Sequence, residues 1–389
     1  MELLAPAGGP EQLACALHFG ADAVYLAGTR WGMRASARTF TDEELAGVVE
    51  EAHAACAAVH VTLNTIMYDD DIDALPPFLD LLEQIGVDAA IVADLGAIGL
   101  LRRYAPHVAI HLSTQASCTN AAAAEAYARL GVSRIVLARE MAIGQIAELR
   151  RRIPAGLELE AFAHGSMCMA YSGRCLLSAE MTGGRRSAGR GSCAQPCRWA
   201  WRIVEDRTPD RPLDLVQDDR GSYLLSSNDL NMLAHLDDLA AAGVDAIKLE
   251  GRAKGAYYVG TITNAYRHVL DGESADDWAP ELDLVSHRPY STGFYYGEPT
   301  QNPGREDYAR NRILVAVVDA CEPAGGSWRA AVTCRNRAEA GVVTDVLSPH
   351  KPVRQAHLSC PLVRNGEPYT LALPFPVAPG DLVCVKVGQ

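Results

Sequence analysis

Four cysteines fall close together in the stretch 157–202: Cys168, Cys175, Cys193 and Cys197, spaced C-x6-C-x17-C-x3-C. Zinc and an iron–sulfur cluster both accept four thiolates. Structural zinc favours two tight knuckles, and only the pair Cys193 and Cys197 comes near one. The wide gaps suit a cubane somewhat better, although the spacing alone leaves cluster, zinc and unliganded thiols open. Around the thiols, residues 174–202 hold six arginines (Arg174, Arg185, Arg186, Arg190, Arg198, Arg202) against one acid, Glu180. Guanidinium matches phosphate and carboxylate bidentately, so Arg185, Arg186, Arg190 and Arg198 are candidate anion contacts beside the metal. His164, four residues before Cys168, allows a rival: a Cys–His pair for peptide hydrolysis. That chemistry needs one activated thiol and gives no role to three further cysteines.

The thiol-rich loop must be carried by something rigid. It follows an alternating strand, with Leu157, Leu159, Ala161 and Ala163 on one side and Glu158, Glu160 and Phe162 on the other, broken at His164-Gly165. Seven more apolar runs precede or follow it: ELLAPA (2–7), DAVYLAG (22–28), VHVTLNT (59–65), DAAIVAD (88–94), VAIHLSTQ (108–115), SRIVLARE (133–140) and DAIKLEG (245–251). They are apolar almost throughout, as strands buried on both faces should be. Helical segments lie between them. A glycine recurs just before a strand, in GADAVYL, GVDAAIV, GVSRIVL and GVDAIKL, where a left-handed residue would close the preceding helix. Thr41 with Glu44, and Asn120, mark helix starts. Eight βα units with no GxGxxG after the first strand predict a (β/α)8 barrel rather than a dinucleotide-binding sheet.

The active site of such a barrel gathers at the carboxyl ends of the strands. Those ends carry Asn64, His111, Gln115, Glu160, His164, Lys248, Glu250 and Arg252. Lys248 and Glu250 should face the same way and, at the inner rim, could hold a carboxylate substrate. Glu160, His164, Lys248 and Glu250 are the candidate proton-handling groups, whereas Asn64, His111, Gln115 and Arg252 are candidate substrate contacts. The cysteine and arginine loop, an insertion over 165–222, leaves from the seventh end and should lie over the mouth. The barrel domain is expected over 1–280. Residues 281–300 read as a linker, and short strands beyond it (RILVAVV, WRAAVTC, GVVTDVL, YTLALPF, DLVCVKV) predict a small all-β, barrel-like domain within 281–389, a candidate RNA-binding domain.

A chain of 389 residues, 49% hydrophobic and 21% charged, is an ordinary folded protein. No apolar run approaches the ~18–20 residues of a spanning helix, and the N-terminus lacks a secretion signature, so a cytoplasmic protein with no membrane partner is expected. Eleven cysteines in that setting point to metal or redox chemistry rather than a disulfide framework; Cys15, Cys56 and Cys118 read as small buried hydrophobes. The net charge of −13 disfavours nucleic acid at first. Residues 281–389 are neutral, however, so an acidic body with local cationic ground is still compatible with a phosphate backbone at one face.

The run GSMCMAYSGRCLLS, preceded by ELEAFAHG, resembles the signature of the collagenase-like peptidase family (unassigned family thirty-two). The resemblance extends from ELLAPAG through GRGSCAQPCR to IKLEGRAK and covers residues 1–270. Despite the peptidase name, it implies an iron–sulfur hydroxylation protein acting on quinone precursors or on bases of ribosomal or transfer RNA. With SSNDLNML and the C-terminal β domain, the chain looks most like the tRNA uridine hydroxylation branch. That implies 5-hydroxyuridine at the wobble position, prephenate as hydroxyl donor and co-substrate, and a [4Fe-4S] cluster on Cys168, Cys175, Cys193 and Cys197. The implied partners are the tRNA anticodon loop and an electron donor. The neutral tail leaves RNA affinity to the arginine loop or to a partner in a homo- or hetero-oligomer.

Overall fold

The computed structural model describes residues 1–33, 39–168, 175, 177–183, 185–199, 202–203, 213–214, 226–297, 301–302 and 312–387. Eight parallel strands close into a barrel: β1 (Glu2–Pro6), β2 (Ala23–Leu26), β3 (Ala58–Leu63), β4 (Ala89–Val92), β5 (Ala109–Leu112), β6 (Val132–Val136), β7 (Glu158–Ser166) and β8 (Ala246–Leu249). Each pairs with the next, β8 pairs back to β1, and β7 with β8 completes the ring. All eight coincide with the apolar runs of the sequence, because a strand covered by helices outside and side chains inside has no face left for water.

Helices α1 (Pro10–His18), α2 (Asp42–Ala54), α3 (Pro76–Gln84), α4 (Leu95–Tyr104), α5 (Ala121–Arg129), α6 (Ile143–Arg152), α7 (Leu236–Ala241) and α8 (Ala256–Leu270) surround the ring. The start of α2 is the expected capping box, with Thr41 and Glu44 each accepting the other's backbone N–H. At the start of α5, Asn120 accepts from Ala123 N at 2.9 Å. Gly20, Gly86, Gly131 and Gly243 all have positive φ, 74° to 95°, so the recurring glycine closes a helix where a β-carbon would strain the backbone.

The sequence Ser226-Ser227-Asn228-Asp229 reads as a helix cap, but Asp229 instead opens a short strand, Asp229–Asn231, antiparallel to the end of β7. Its carboxylate takes the guanidinium of Arg288 at 2.6 Å. The segment read as a linker also packs on the barrel. Helix α9 (Ala275–Leu282) precedes it, and Tyr290–Ser291 adds a strand beside Asp229–Leu230.

The C-terminal part is a six-stranded antiparallel sheet: β9 (Arg312–Ala324), β10 (Ser327–Cys334), β11 (Val343–Ser348), β12 (Lys351–His357), β13 (Pro368–Leu373) and β14 (Leu382–Lys386). Five of these match the short runs noted above. The unexpected one, β12, is polar and mostly exposed, so its composition gives no apolar signal. The sheet has its own core around Val315, Val332, Val346 and Val383. It also joins the barrel core through Leu347, Leu382 and Cys384. Among the described residues no helix is long and apolar enough to cross a membrane.

Candidate active site at the barrel mouth

Inside the barrel, charge is stacked in a column. At the amino end Arg134 of β6, 7% exposed, bonds Glu2 and Glu158 at 2.6 and 2.7 Å. Its Nη1 also lies 3.3 Å from Glu160 Oε2. Glu160, with no exposed surface, receives Lys248 Nζ on its other oxygen at 3.2 Å. Burial opposes charge on Glu160, but Lys248 and then Arg134 overcome it and hold the carboxyl below its ordinary range. The same burial draws the Lys248 ammonium below its usual range against the pull of Glu160. The ammonium also sits over the Tyr25 ring at 4.2 Å. Lys248 is thus a cation tethered from below and offered upward.

Beside Glu160, the rings of His60 and His111 meet edge to face at 4.7 Å. Desolvation drives both imidazoles well below their usual pKa, so they are neutral. His60, His111 and Glu160 bring ligand atoms within 4.8 Å of one another. Glu160, however, already faces two cations, and a further dication would meet both at short range. His111 therefore lies below the mouth in the barrel interior.

Above the column lies a cavity of about 130 Å³. Among its lining residues are Asn64, Gln115, Lys248, Glu250, Arg252, Cys168 and Cys193. Three strand ends and the cysteine loop thus contribute to one space. Arg252 donates to Thr62 Oγ1 at 2.8 Å. Asn64 accepts from Met33 N at 3.0 Å, and Arg139 stands 3.7 Å from Glu250 with its guanidinium 3.9 Å over the Phe162 ring. Gly165, at φ 105°, permits the close approach of Glu250: a β-carbon there would sit 2.4 Å from the Glu250 carbonyl oxygen.

His164, expected at this mouth, is elsewhere. Phe162 pairs with Lys248 and His164 with Leu249, so the register slips by one residue at Ala163. That bulge reverses the alternation and turns His164 to the outside of the barrel. There it lies between Tyr258, Tyr266 and Tyr290, with Nδ1 3.3 Å from the Tyr266 hydroxyl. Desolvation lowers its pKa to about 3. It is a neutral packing residue of the helix side, and the Cys–His pairing read from the sequence has no geometric support.

The loop over the mouth is braced by its own arginines. Arg190 donates to Ile66 O and pairs with Asp71. Arg186 donates to the carbonyls of Ser192 and Cys193 at 3.0 and 2.8 Å. Arg185 bonds Thr182 O. All three remain exposed, so they shape the loop while presenting positive charge. The Arg198 side chain lies outside the described residues, as does most of the 203–222 excursion.

Cys168 is exposed, and Cys175, Cys193 and Cys197 are partly so; none of the four is in a disulfide. Gln195 N donates to Cys193 Sγ at 3.3 Å. Among the described residues no three of these sulfurs lie within 4.8 Å of one another. A closed tetrahedral zinc site needs separations of roughly 3.8 Å, from Zn–S bonds of about 2.3 Å. By contrast, burial pushes the Cys15 thiol up to about 12 and raises those of Cys118 and Cys384. Cys56, read as buried, is exposed at a helix end with φ 60°.

The sequence reading missed Arg134, His60, Tyr25 and Thr62. A lone arginine or histidine inside an otherwise apolar barrel strand was the available signal, since such a residue must face a partnered interior.

The family Peptidase family U32 matches residues 8–304. The chain is 39% identical over 306 residues to the tRNA hydroxylation protein P1 of Bacillus subtilis, covering 77% of this chain and 71% of that one. It is 29% identical over 432 residues to the tRNA hydroxylation protein P of Escherichia coli, covering 96% and 94%. A collagenase of Porphyromonas gingivalis is 34% identical over 315 residues, covering 76% and 74%. A match over most of the barrel, with relatives above 30% identity across two thirds of the chain, shows that the chain belongs to peptidase family U32.

Proposed function

We propose that the protein is an RNA-modifying hydroxylase acting on tRNA, and that it forms 5-hydroxyuridine at the wobble position with prephenate as hydroxyl donor. The observation that carries this reading is the meeting of Cys168 and Cys193 with Lys248, Glu250, Arg252, Asn64 and Gln115 around one cavity. It occurs in a chain similar to proteins named for tRNA hydroxylation.

Cys168, Cys175, Cys193 and Cys197 are the proposed holders of a [4Fe-4S] cluster, which would supply one-electron chemistry beside the mouth. Lys248 and Arg252 bind the carboxylates of the donor, as two cations at one wall of the cavity can. Asn64 and Gln115 orient a base edge, offering a donor and an acceptor each. Glu250, opposite Arg139, is the proton-handling group at the mouth. The loop closes over these residues and excludes water. A base in the single-stranded anticodon loop enters without a large unpairing cost. An external electron donor is the further partner.

Iron and acid-labile sulfide on protein purified without oxygen test the cofactor, and nucleoside analysis of tRNA from cells lacking the gene tests the product. About four irons and four sulfides per chain are expected, together with loss of one hydroxylated pyrimidine from tRNA. One zinc per chain and unchanged nucleosides would overturn the reading. The collagenase name of one relative does not shift it, because His164 is turned away from the thiols.

A further inference from the structure

The C-terminal sheet meets the barrel along a groove that leads to the mouth. A hollow of about 690 Å³ lies between them, walled by Lys254, Gly255 and Ala256 on the barrel side and by Arg312, Arg335 and Asn336 on the sheet side. A second hollow of about 650 Å³ continues it outward past Arg337, Arg364 and Asn365, sharing Arg335 and Asn336 with the first. At its inner end the groove reaches Ser166, Gln195 and Glu250. Glu250 also lines the barrel-mouth cavity, and Gln195 sits between Cys193 and Cys197. The groove and the barrel-mouth cavity thus share Glu250 as a wall.

The outer part of this groove is built from two loops with a matched composition, Arg335-Asn336-Arg337 after β10 and Arg364-Asn365 before β13. They are pinned in place. Asn336 Nδ2 donates to Leu314 O at 2.8 Å, and Arg337 Nε donates to Val363 O at 3.1 Å. Ala338 and Leu362 bridge the two loops. Asn336, Arg337, Arg364 and Asn365 are all exposed. The contact of Arg364 with Glu367, 3.2 Å between exposed groups, is weak enough for a phosphate to displace.

Five cations, Lys254, Arg312, Arg335, Arg337 and Arg364, line the two hollows with two acids, Glu11 and Glu250; Arg312 is paired with Asp345 and Arg335 with Glu11. Four of the eight basic residues in 312–387, Arg312, Arg335, Arg337 and Arg364, line these hollows. The chain carries a net charge of −13, which repels a polyanion from most approaches and favours cationic ground such as this groove and the arginine loop.

We propose that this groove is the track for the tRNA phosphate backbone, with Arg337 and Arg364 taking phosphates at its outer end. The proposal rests on the reading of the protein as a tRNA hydroxylase. Guanidinium groups grip successive phosphates, the asparagine amides meet sugar or base edges, and the strand is delivered to Glu250 with its target base at the mouth.

The test compares binding of fluorescently labelled tRNA to the full-length protein and to the double variant Arg337→Glu/Arg364→Glu, from about 50 to 200 mM salt. Arg129→Glu/Arg151→Glu, on exposed barrel helices, is the control. The groove variant should bind at least about tenfold more weakly, and its dependence of log affinity on log salt should be shallower by about two. The control should behave as wild type. Wild-type binding that survives the reversal with an unchanged salt slope overturns the groove alone. A wild-type protein that binds no tRNA at low salt overturns both the groove and the reading beneath it.

Discussion

Lys248 and Glu160 form an ion pair of 3.2 Å between side chains that are 5% and 0% exposed. Such a pair costs desolvation on both sides, and removing Lys248 leaves one oxygen of the buried Glu160 carboxylate without its cation, Arg134 facing the other. Lys248→Met should therefore destabilise the barrel by roughly 3–5 kcal/mol. The double variant with Glu160→Gln should recover at least about 1 kcal/mol of that loss. Urea denaturation of the four proteins in the cycle checks it; additive effects would mean that the two charges do not depend on each other.

Arg134 holds the lower end of the same column, so its loss should be felt at the mouth. Arg134→Met leaves Glu160 with Lys248 as its remaining cationic partner, and Glu2 and Glu158 lose a shared one. The expected result is a destabilisation of similar size, about 3 kcal/mol. The same substitution on exposed Arg129 should change stability by no more than about 0.5 kcal/mol.

Acid should unfold the protein through its buried histidines. His164 takes up its proton at about 3 in the folded state against 6.5 for the free side chain, so the unfolded chain binds the extra proton between those values. Its stabilising contribution is complete above 6.5 and is lost as the pH falls toward 3, by roughly 4–5 kcal/mol at most. His60 and His111 shift in the same direction. Replacing His164 with Phe should flatten the fall of stability between pH 6.5 and 4 in denaturation curves. An unchanged slope would show that other groups take the protons.

Glu281 works in the opposite sense. It accepts Val353 N at 2.9 Å where α9 meets the sheet, and burial pushes its pKa up to about 7. The folded state keeps the proton that the unfolded chain releases near 4.5, so stability is full below 4.5 and falls as the pH rises through 7. Glu281→Gln should raise the melting temperature at pH 8 and change it little at pH 4.5. The difference corresponds to roughly 3 kcal/mol at most.

The cysteines should separate by environment. In protein stripped of metal at pH 8, a water-soluble alkylating agent should modify Cys56 and Cys168 quickly, whereas Cys15 and Cys384 should react only after unfolding. Mass spectrometry of the labelled peptides reads this directly. If iron is bound as proposed, it should protect Cys168 and leave Cys56 reactive.

The barrel was legible in the sequence because its strands have no wet face, and apolar runs of that kind are hard to mistake. The glycines before the strands were legible for a similar reason: a left-handed helix end leaves few choices of residue. Lys248 and Glu250 could be placed by alternation along one strand. His164 could not, because a single bulge at Ala163 reverses the pattern, and a bulge depends on a neighbouring strand that composition does not show. Arg134 was hidden inside an apolar run, since its partners Glu2 and Glu160 lie far away along the chain. Strand β12 was missed because it shows water a polar face.

The chain leaves the barrel at Ser166 and is back beside that residue at Asp229, the two paired across antiparallel strands. That pairing is a closed doorway, and the described part of the insertion is tied again to the barrel rim at Ile66 and Asp71. The doorway fixes both ends of the segment, so a change in its length should leave the eight staves in place. Replacing 169–226 with a short turn should leave a folded barrel with an open mouth. Relatives built on the same staves could carry different metals or different lids through that one opening.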